Sequence, residues 1–151
     1  MAKEHPHSPP ALEFQDGLFH QAMNLLKQAG YKRTAHREAL IRFFIKNQGP
    51  FSTDTVQGMN KNLDKVTIYR SLAKFEEINL LRRIDFGDGI IRYESNLRDS
   101  DHHHHVVCIK CSKVEAIEHC EINGIEQIEK QTGFTSLRHS LEFFGVCPQC
   151  Q

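Results

Sequence analysis

Apolar residues between positions 18 and 78 recur every three or four residues, the spacing of helices that bury one face. Turn and cap residues divide this stretch into four predicted helices. Gly30 ends the first, Thr34 caps the second, and Gly49-Pro50 stops it. Ser52 caps a third helix that runs to residue 63. The predicted inward positions of these three helices are Leu18, Ala22, Leu25, Leu26, Ala39, Leu40, Phe43, Phe44, Val56, Met59 and Leu63.

The fourth predicted helix, residues 65–78, has one apolar and one polar face. Its inward positions are Ile68, Leu72 and Phe75. Its outer positions are mostly Thr67, Arg70, Ser71 and Lys74. The period then changes to that of a hairpin, with strands over 80–86 and 90–94 around Gly87-Asp88-Gly89. Helices followed by a hairpin are typical of a winged helix-turn-helix, in which residues 65–78 would be the recognition helix.

The remaining chain predicts a second, smaller domain. Residues 95–101 are polar and are interpreted as a hinge. Strands are predicted over 106–109 and 114–117, then an amphipathic helix that Gly133 ends, then β-like content over 134–144. The helix is predicted from Ile122, Ile125, Ile128 and Glu129. A unit of this size buries little surface alone, so we expect a metal and a partner subunit to stabilise it.

The predicted fold class is therefore α+β. It comprises an N-terminal winged helix-turn-helix domain over 1–94, with a mobile tail over 1–13, the hinge over 95–101, and a small α/β dimerisation domain over 102–151. Charge follows the same division. Residues 31–83 hold 11 Lys and Arg against 5 Asp and Glu, whereas residues 95–151 hold 5 against 8. A basic first half and an acidic second half indicate two separate tasks.

Four of the five cysteines form two Cys-x-x-Cys pairs, Cys108/Cys111 and Cys147/Cys150. Each pair can present two thiolates to one metal, and two pairs complete the tetrahedral sulfur set of structural zinc. The alternative is a pair of disulfides or a redox-active pair. An odd cysteine count, with Cys120 left over, fits thiolate ligands better than a disulfide framework.

The run of histidines from His102 to His105 directly precedes the first cysteine pair. In a strand, alternate side chains point to opposite faces, so His103 and His105 share one face while His102 and His104 share the other. One strand could therefore supply two metal sites, and imidazole with carboxylate suits Fe, Zn, Mn or Ni. The alternative interpretation is a solvated surface strand.

Five segments, in chain order, resemble the ferric-uptake-regulator family: residues 33–37, residues 67–72, residues 92–94, the histidine run with its cysteine pair, and residues 139–147. The resemblance covers about residues 18–150. It implies dimeric, metal-responsive repressors with an N-terminal winged helix and a C-terminal dimerisation domain. It further implies one structural zinc per chain on Cys108, Cys111, Cys147 and Cys150, and a second, regulatory divalent metal.

The resemblance also implies further site residues. Glu94, His103 and His105 correspond to the family's regulatory junction ligands. A further site corresponds to His102, His104 and His139, with Glu121 as the nearest acidic candidate. We expect double-stranded palindromic DNA to be bound by Lys65, Thr67, Tyr69, Arg70, Lys74, Arg33 and Arg37. Two positions depart from the family's pattern: Pro50 stands where a histidine is common, and Ala116, beside Glu115, stands where an acidic residue is common.

The chain is predicted to be a homodimeric, metal-dependent transcriptional regulator that represses metal-homeostasis or stress genes. One alternative is a zinc-stabilised module that binds nucleic acid or protein without sensing metal. A minor alternative is a zinc deaminase-like enzyme, since His119-Cys-Glu121 followed by Cys147-Pro-Gln-Cys150 echoes such sites. No residue set indicates turnover of a small-molecule substrate. No signal peptide or membrane-spanning run is visible, so a cytoplasmic location without membrane association is expected.

Overall fold

The computed structural model describes residues 11–47, 49–97, 103–117, 122 and 124–151. The chain divides into two compact units, residues 1–99 and 100–151. In chain order the elements are α1 (Ala11–Gln28), α2 (Ala35–Lys46), β1 (Phe51–Ser52), α3 (Thr53–Met59), α4 (Lys65–Glu77), β2 (Leu81–Asp85), β3 (Ile91–Ser95), β4 (His104–Cys108), β5 (Val114–Ile117), α5 (Ile125–Thr132) and β6 (Glu142–Gly145). None of the described helices is long and apolar enough to cross a lipid bilayer.

The first unit buries one apolar core beneath its four helices. Most of the predicted inward positions are buried, namely Leu18, Ala22, Leu26, Leu40, Phe43, Phe44, Val56, Leu63, Ile68, Leu72 and Phe75. Side-chain caps hold the starts of three helices; Thr34 and Ser52 were predicted as caps, and Asp64 was not. The side chains of Thr34, Ser52 and Asp64 accept hydrogen bonds from backbone N–H groups of the first turns. Because α1 begins at Ala11, the tail predicted over residues 1–13 was too long.

Three predicted positions of the first unit were wrong. Ala39 is exposed because Ile41 and Ile45 turn the buried face of α2 the other way. Met59 is 57% exposed because α3 ends there rather than at residue 63. The side-chain amide of Asn60 donates to the Val56 carbonyl and closes that helix early. Ser71, predicted on the outer face of α4, is buried.

The hairpin belongs to a three-stranded antiparallel sheet in the order β1-β3-β2. The short strand β1 was not predicted, since two residues carry no periodicity. Gly87 and Gly89 adopt positive φ in the hairpin turn, as predicted. Behind the turn, the guanidinium of Arg92 is almost fully buried and donates two hydrogen bonds to the Asp88 carboxylate.

The segment predicted as a hinge over 95–101 starts too early. Ser95 pairs with Leu81 in the sheet, the Asn96 N–H donates to the Leu80 carbonyl, and Leu97 is buried in the core. Polar composition concealed this single apolar anchor. Residues 95–97 therefore belong to the first unit, and 98–102 lie outside the described residues.

The second unit has the predicted β-β-α-β order. Its sheet runs β5-β4-β6, with β4 antiparallel to β5 and parallel to β6. Gly133 ends α5 with positive φ, as predicted. The β-like stretch over 134–144 forms a strand only over Glu142–Gly145. Among the described residues of this unit, Val107 and Cys108 are the buried apolar side chains.

Candidate metal centres and nucleic-acid interface

The four paired cysteines converge on one point in the second unit. The Sγ atoms of Cys108, Cys111, Cys147 and Cys150 all lie within 4.8 Å of one another. Strand register explains this, because parallel pairing of Cys108 with Gly145 brings the residues after β6 beside the end of β4. The minor alternative of a deaminase-like site would leave the Cys108/Cys111 pair without a role, whereas these two sulfurs belong to the same cluster as those of Cys147 and Cys150.

Sulfur spacing separates a metal site from disulfides. The Sγ atoms of Cys111 and Cys147 are 3.7 Å apart, whereas a disulfide bond measures about 2.05 Å. Zinc–sulfur bonds of about 2.3 Å in a tetrahedron place sulfurs about 3.8 Å apart. All four cysteines are free. The spacing fits a closed tetrahedral site that leaves no open position for catalysis.

The ionisation of the four thiols is the second feature that fits a bound cation. Backbone N–H groups of Cys147 and Cys111 that point at the Cys108 sulfur lower the pKa of that thiol to about 6. Hydrogen bonds with the sulfurs of Cys147 and Cys111 raise the pKa of Cys150 to about 12. Neighbouring thiolates repel one another, so all four ionise together only around a positive charge. The residues present therefore fit a divalent, sulfur-preferring metal such as zinc.

Two tight turns aim the sulfurs inward. The Ser112 N–H donates to the Cys108 carbonyl, and Ser112 adopts positive φ. In the second turn the Cys150 N–H donates to the Cys147 carbonyl. The Cys147 N–H donates to the Cys108 sulfur at 3.4 Å, and such donors stabilise a thiolate. The two turns therefore support each other across the cluster.

Strand β4 separates the histidines as predicted. The rings of His103 and His105 lie edge to face, with centroids 4.9 Å apart. His104 is directed elsewhere, with its Nε2 atom 3.3 Å from the Nε2 atom of His139. The Nδ1 atom of His104 lies 3.1 Å from the Leu141 carbonyl oxygen, which leaves Nε2 as the nitrogen that could bind a metal. His102 and Glu121, predicted for the same site, lie outside the described residues.

Glu94, the predicted junction ligand of the first unit, lies on β3 with its carboxylate only 3% exposed. Arg82 on β2 pairs with it directly across the sheet and forms an ion pair through Nε. Arg82 was not predicted as a site residue, although the hairpin register could have identified it. Arg82 and Glu94 are equidistant from the middle of the hairpin turn, and residues so placed face each other.

The departure at Ala116 has a structural meaning. Ala116 pairs directly with His105 across β4 and β5, so its side chain shares the face of His105. Glu115 pairs with Val106 and points to the opposite face, where it forms an ion pair with Lys113 at 2.7 Å. Glu115 therefore does not replace the missing acidic ligand.

The seven predicted DNA contacts fall into two groups on the first unit. Tyr69, 56% exposed, and Arg70, also exposed, project from the outer face of α4. The other five already have partners within the described residues. These pairs are Thr67 with Asp64, Lys65 with Asp54, Arg33 with Glu38, Arg37 with the Lys32 carbonyl, and Lys74 with Tyr31. Tyr31 was not predicted as functional, since a single aromatic residue in a loop carries no periodic signal.

Known proteins share this fold and match most of the chain in sequence. The model of the ferric uptake regulator family matches residues 28–144. The peroxide-responsive repressor PerR of Staphylococcus aureus is 30% identical over 131 residues, which cover 83% of this chain and 86% of the relative. The iron-containing ferric uptake regulator of Francisella tularensis has a TM-score of 0.66 at 28% identity, covering 80% of this chain and 95% of that one. The Helicobacter pylori ferric uptake regulator has a TM-score of 0.74 at 21% identity, over 90% and 93% of the two chains.

Proposed function

The chain belongs to the ferric uptake regulator family, and we propose that it is a cytoplasmic, homodimeric, metal-dependent repressor that binds palindromic operator DNA. Metal-dependent, DNA-binding transcriptional regulation is the work of this family, whose members are regulators rather than enzymes. The observation that supports the proposal most strongly is that the two units present different functional groups. One presents an exposed helix face with Tyr69 and Arg70, and the other gathers metal-binding side chains.

DNA recognition is assigned to α4. Its apolar face is buried in the core, so the opposite face is available to the major groove. Arg70 is the residue best placed to read a base edge, where a bidentate contact is worth about 1–3 kcal/mol of discrimination. In a dimer, two copies of α4 read two half-sites, which accounts for a palindromic operator.

Two kinds of metal site serve different purposes in this proposal. Cys108, Cys111, Cys147 and Cys150 would hold one structural zinc per chain. Glu94, His103 and His105 would hold the regulatory metal, a cation such as Fe, Zn, Mn or Ni that suits carboxylate and imidazole. His104 and His139, with His102 and Glu121, would form the further site. The structure of the Helicobacter pylori relative reveals three functional metal binding sites.

The regulatory ligands explain how metal controls DNA binding. Glu94 belongs to the winged-helix unit, whereas His103 and His105 belong to the dimerisation unit. Their shared coordination restricts the angle between the units, and that angle sets the separation of the two recognition helices. Without the regulatory metal, only a fraction of the dimers hold their recognition helices at the half-site spacing. The apparent affinity for DNA is reduced in proportion to that fraction. The coupling is reciprocal, so operator DNA should tighten metal binding by the same factor.

One observation favours a second candidate function. Ala116 supplies no donor beside His105, so the regulatory set is smaller than the family pattern. A protein that keeps the zinc and binds DNA without sensing metal would tolerate this loss.

The test is DNA binding before and after mild chelation that spares the four-sulfur site, in the wild type and in a variant with His103→Ala and His105→Ala. The metal sensor predicts that chelated protein binds weakly, that added metal restores binding, and that the variant no longer responds. Wild-type protein that binds at full strength after chelation would support the second candidate. Zinc content and the dimer, measured in parallel, should be unchanged in the variant.

A further inference from the structure

Tyr31 is held in place by the way α1 ends. Gly30 adopts positive φ, its N–H donates to the Lys27 carbonyl, and the Tyr31 N–H donates to the Leu26 carbonyl. This pair of bonds is the Schellman motif, which fixes the chain direction after a helix. The half-buried ring of Tyr31 then packs against the apolar core. The position of this ring is therefore set by backbone geometry.

Three side chains from two helices meet the Tyr31 side chain. Its hydroxyl donates to the Glu77 carboxylate at 2.6 Å, and the Lys74 Nζ atom lies 4.7 Å from the ring centroid. Lys74 and Glu77 are neighbours one turn apart on α4. Arg37, from the first turn of α2, lies 5.6 Å from the same centroid. One ring thus joins the start of α2 to the end of α4.

The arrangement gathers two cations that would otherwise repel each other. Arg37 and Lys74 both contact the ring of Tyr31, whose π face attracts positive charge. The hydrogen bond to Glu77 raises the pKa of Tyr31 above its ordinary value, so the hydroxyl remains a donor at neutral pH. A second tie holds Arg37, because its guanidinium donates to the Lys32 carbonyl. Both cations are thereby held by contacts within the first unit in the absence of DNA.

We propose that Tyr31 is a positioning residue of the DNA interface, which holds Arg37 and Lys74 ready to contact phosphates that flank the groove read by α4. This inference rests on the proposed function, since it assumes that α2 and α4 face DNA. Ordering a long side chain upon binding costs free energy, and a cation that is already ordered avoids that cost. Tyr31 touches no base and acts only through the two cations.

The test uses the full-length, zinc-loaded dimer with added Mn²⁺ and a duplex selected from a randomised pool by the wild-type protein. Tyr31→Leu removes the ring interaction and should weaken binding about tenfold, the cost of ordering two long side chains. Tyr31→Phe keeps the ring, loses only the bond to Glu77, and should weaken binding about threefold. Fluorescence anisotropy measures both dissociation constants.

A double-mutant cycle separates positioning from a merely structural role. In a background with Arg37→Gln and Lys74→Gln, Tyr31→Leu should change affinity by less than about twofold, because its effect passes through those residues. A tenfold loss that persists in this background would overturn the proposal, as would unchanged affinity of Tyr31→Leu in the wild type. Thermal melting shows whether each variant is folded. Should Tyr31→Leu fail to fold, Tyr31→Phe carries the same cycle, with its threefold loss expected to vanish.

Arg70→Ala serves as the control for the underlying function. When Arg70→Ala and the Arg37/Lys74 variant both weaken binding while Tyr31→Leu does not, only the role of Tyr31 is wrong. Unchanged binding in all of these variants would show instead that α2 and α4 do not face DNA.

Discussion

In the first unit, side chains from four helices and a sheet close over one another, and Ile68, Phe75 and Leu80 are fully buried. In the described part of the second unit, only Val107 and Cys108 are buried apolar residues, and no residue of α5 is buried. Large apolar side chains remain exposed there instead, namely Ile109, Ile128, Phe134, Phe143 and Phe144. Burial of apolar surface is the main driving force of folding, so the two units must be stabilised by different means.

Charge and donor groups show the same contrast. The first unit neutralises its buried charges from within, since Arg92 pairs with Asp88 and Glu94 pairs with Arg82. The second unit gathers four thiols and places the imidazoles of His104 and His139 against each other, with their Nε2 atoms 3.3 Å apart. The first unit is therefore stabilised by its own side chains, whereas under the proposed function the second unit requires metal ions and a second copy of the chain.

The largest effect is expected when one of the four clustered cysteine thiols is removed from the second unit. Cys147→Ser should abolish the structural zinc, whose binding energy of about 10 kcal/mol is also folding energy. We expect loss of about one zinc per chain, loss of the dimer and loosening of the second unit. The first unit contains no ligand of this site and should stay folded. Elemental analysis, sedimentation and amide hydrogen exchange measure these three effects.

Cys120→Ser is the matched control, because it removes a thiol but keeps both Cys-x-x-Cys pairs. It should retain zinc and the dimer. The assignment would be refuted by a Cys147→Ser protein that keeps full zinc content and dimerises like the wild type.

The converse experiment removes core volume from the first unit. Phe75 on α4 is fully buried, so Phe75→Ala should lower the free energy of unfolding of this unit by about 3–5 kcal/mol. Zinc content and dimer formation should not change, since the second unit provides both. Val66→Ala, on the exposed side of the same helix, should change stability by no more than about 0.5 kcal/mol. Zinc loss in Phe75→Ala would show that the units do not fold independently.

A smaller effect is expected at the exposed apolar surface of the second unit. Phe144 lies on β6, one of the two edge strands of its sheet, and is 52% exposed. If the second copy covers this surface, Phe144→Asp should weaken the dimer by about 2 kcal/mol or more. Leu12→Asp, at an exposed position of α1, is the control and should leave the dimer intact. Analytical ultracentrifugation over a dilution series distinguishes the two, and equal dissociation constants would place the dimer contact elsewhere.

Sequence reasoning succeeded where one local rule decides the outcome. Helix periodicity located the core of the first unit, capping rules placed Thr34 and Ser52, and Cys-x-x-Cys spacing located the four sulfurs. It failed where a single side chain overrides the local pattern. Asn60 ends α3 early, and Leu97 draws a polar segment into the core.

Tyr31 and Arg82 were both missed, but for different reasons. Tyr31 contacts residues of two helices that the chain does not bring together locally, and no sequence rule predicts this. Arg82 faces Glu94 because the hairpin register dictates it, so the pair could have been predicted. The face of Glu115 likewise follows from strand register once the pairing of β4 with β5 is known.

Arg82 provides the finest test of the contrast between the units. It is the internal counter-charge of Glu94, the residue that we propose as a regulatory metal ligand. A cation bound by Glu94 must share that carboxylate with the guanidinium, and two positive charges at one carboxylate repel each other. Arg82 therefore holds the metal affinity of the first unit's ligand below what the carboxylate alone would give.

Arg82→Gln keeps a hydrogen-bond donor beside Glu94 and removes the positive charge. The Glu94 carboxylate is then neutralised only when a metal binds, as we propose for the thiols of the second unit. Because the Arg82 side chain is 40% exposed, solvent screens the interaction, and the regulatory metal should bind about tenfold more tightly, or about 1.4 kcal/mol. The metal-free first unit should become less stable by about 1 kcal/mol, since Glu94 loses its counter-charge. Titration against a chromophoric chelator and thermal melting measure the two quantities.

Arg83→Gln makes the same charge change one residue away, on the opposite face of β2, and should leave the metal affinity close to that of the wild type. Structural damage alone would weaken metal binding. Weaker or unchanged metal binding in Arg82→Gln would therefore contradict the competition between Arg82 and the metal for Glu94. Tighter metal binding together with lower stability would support it.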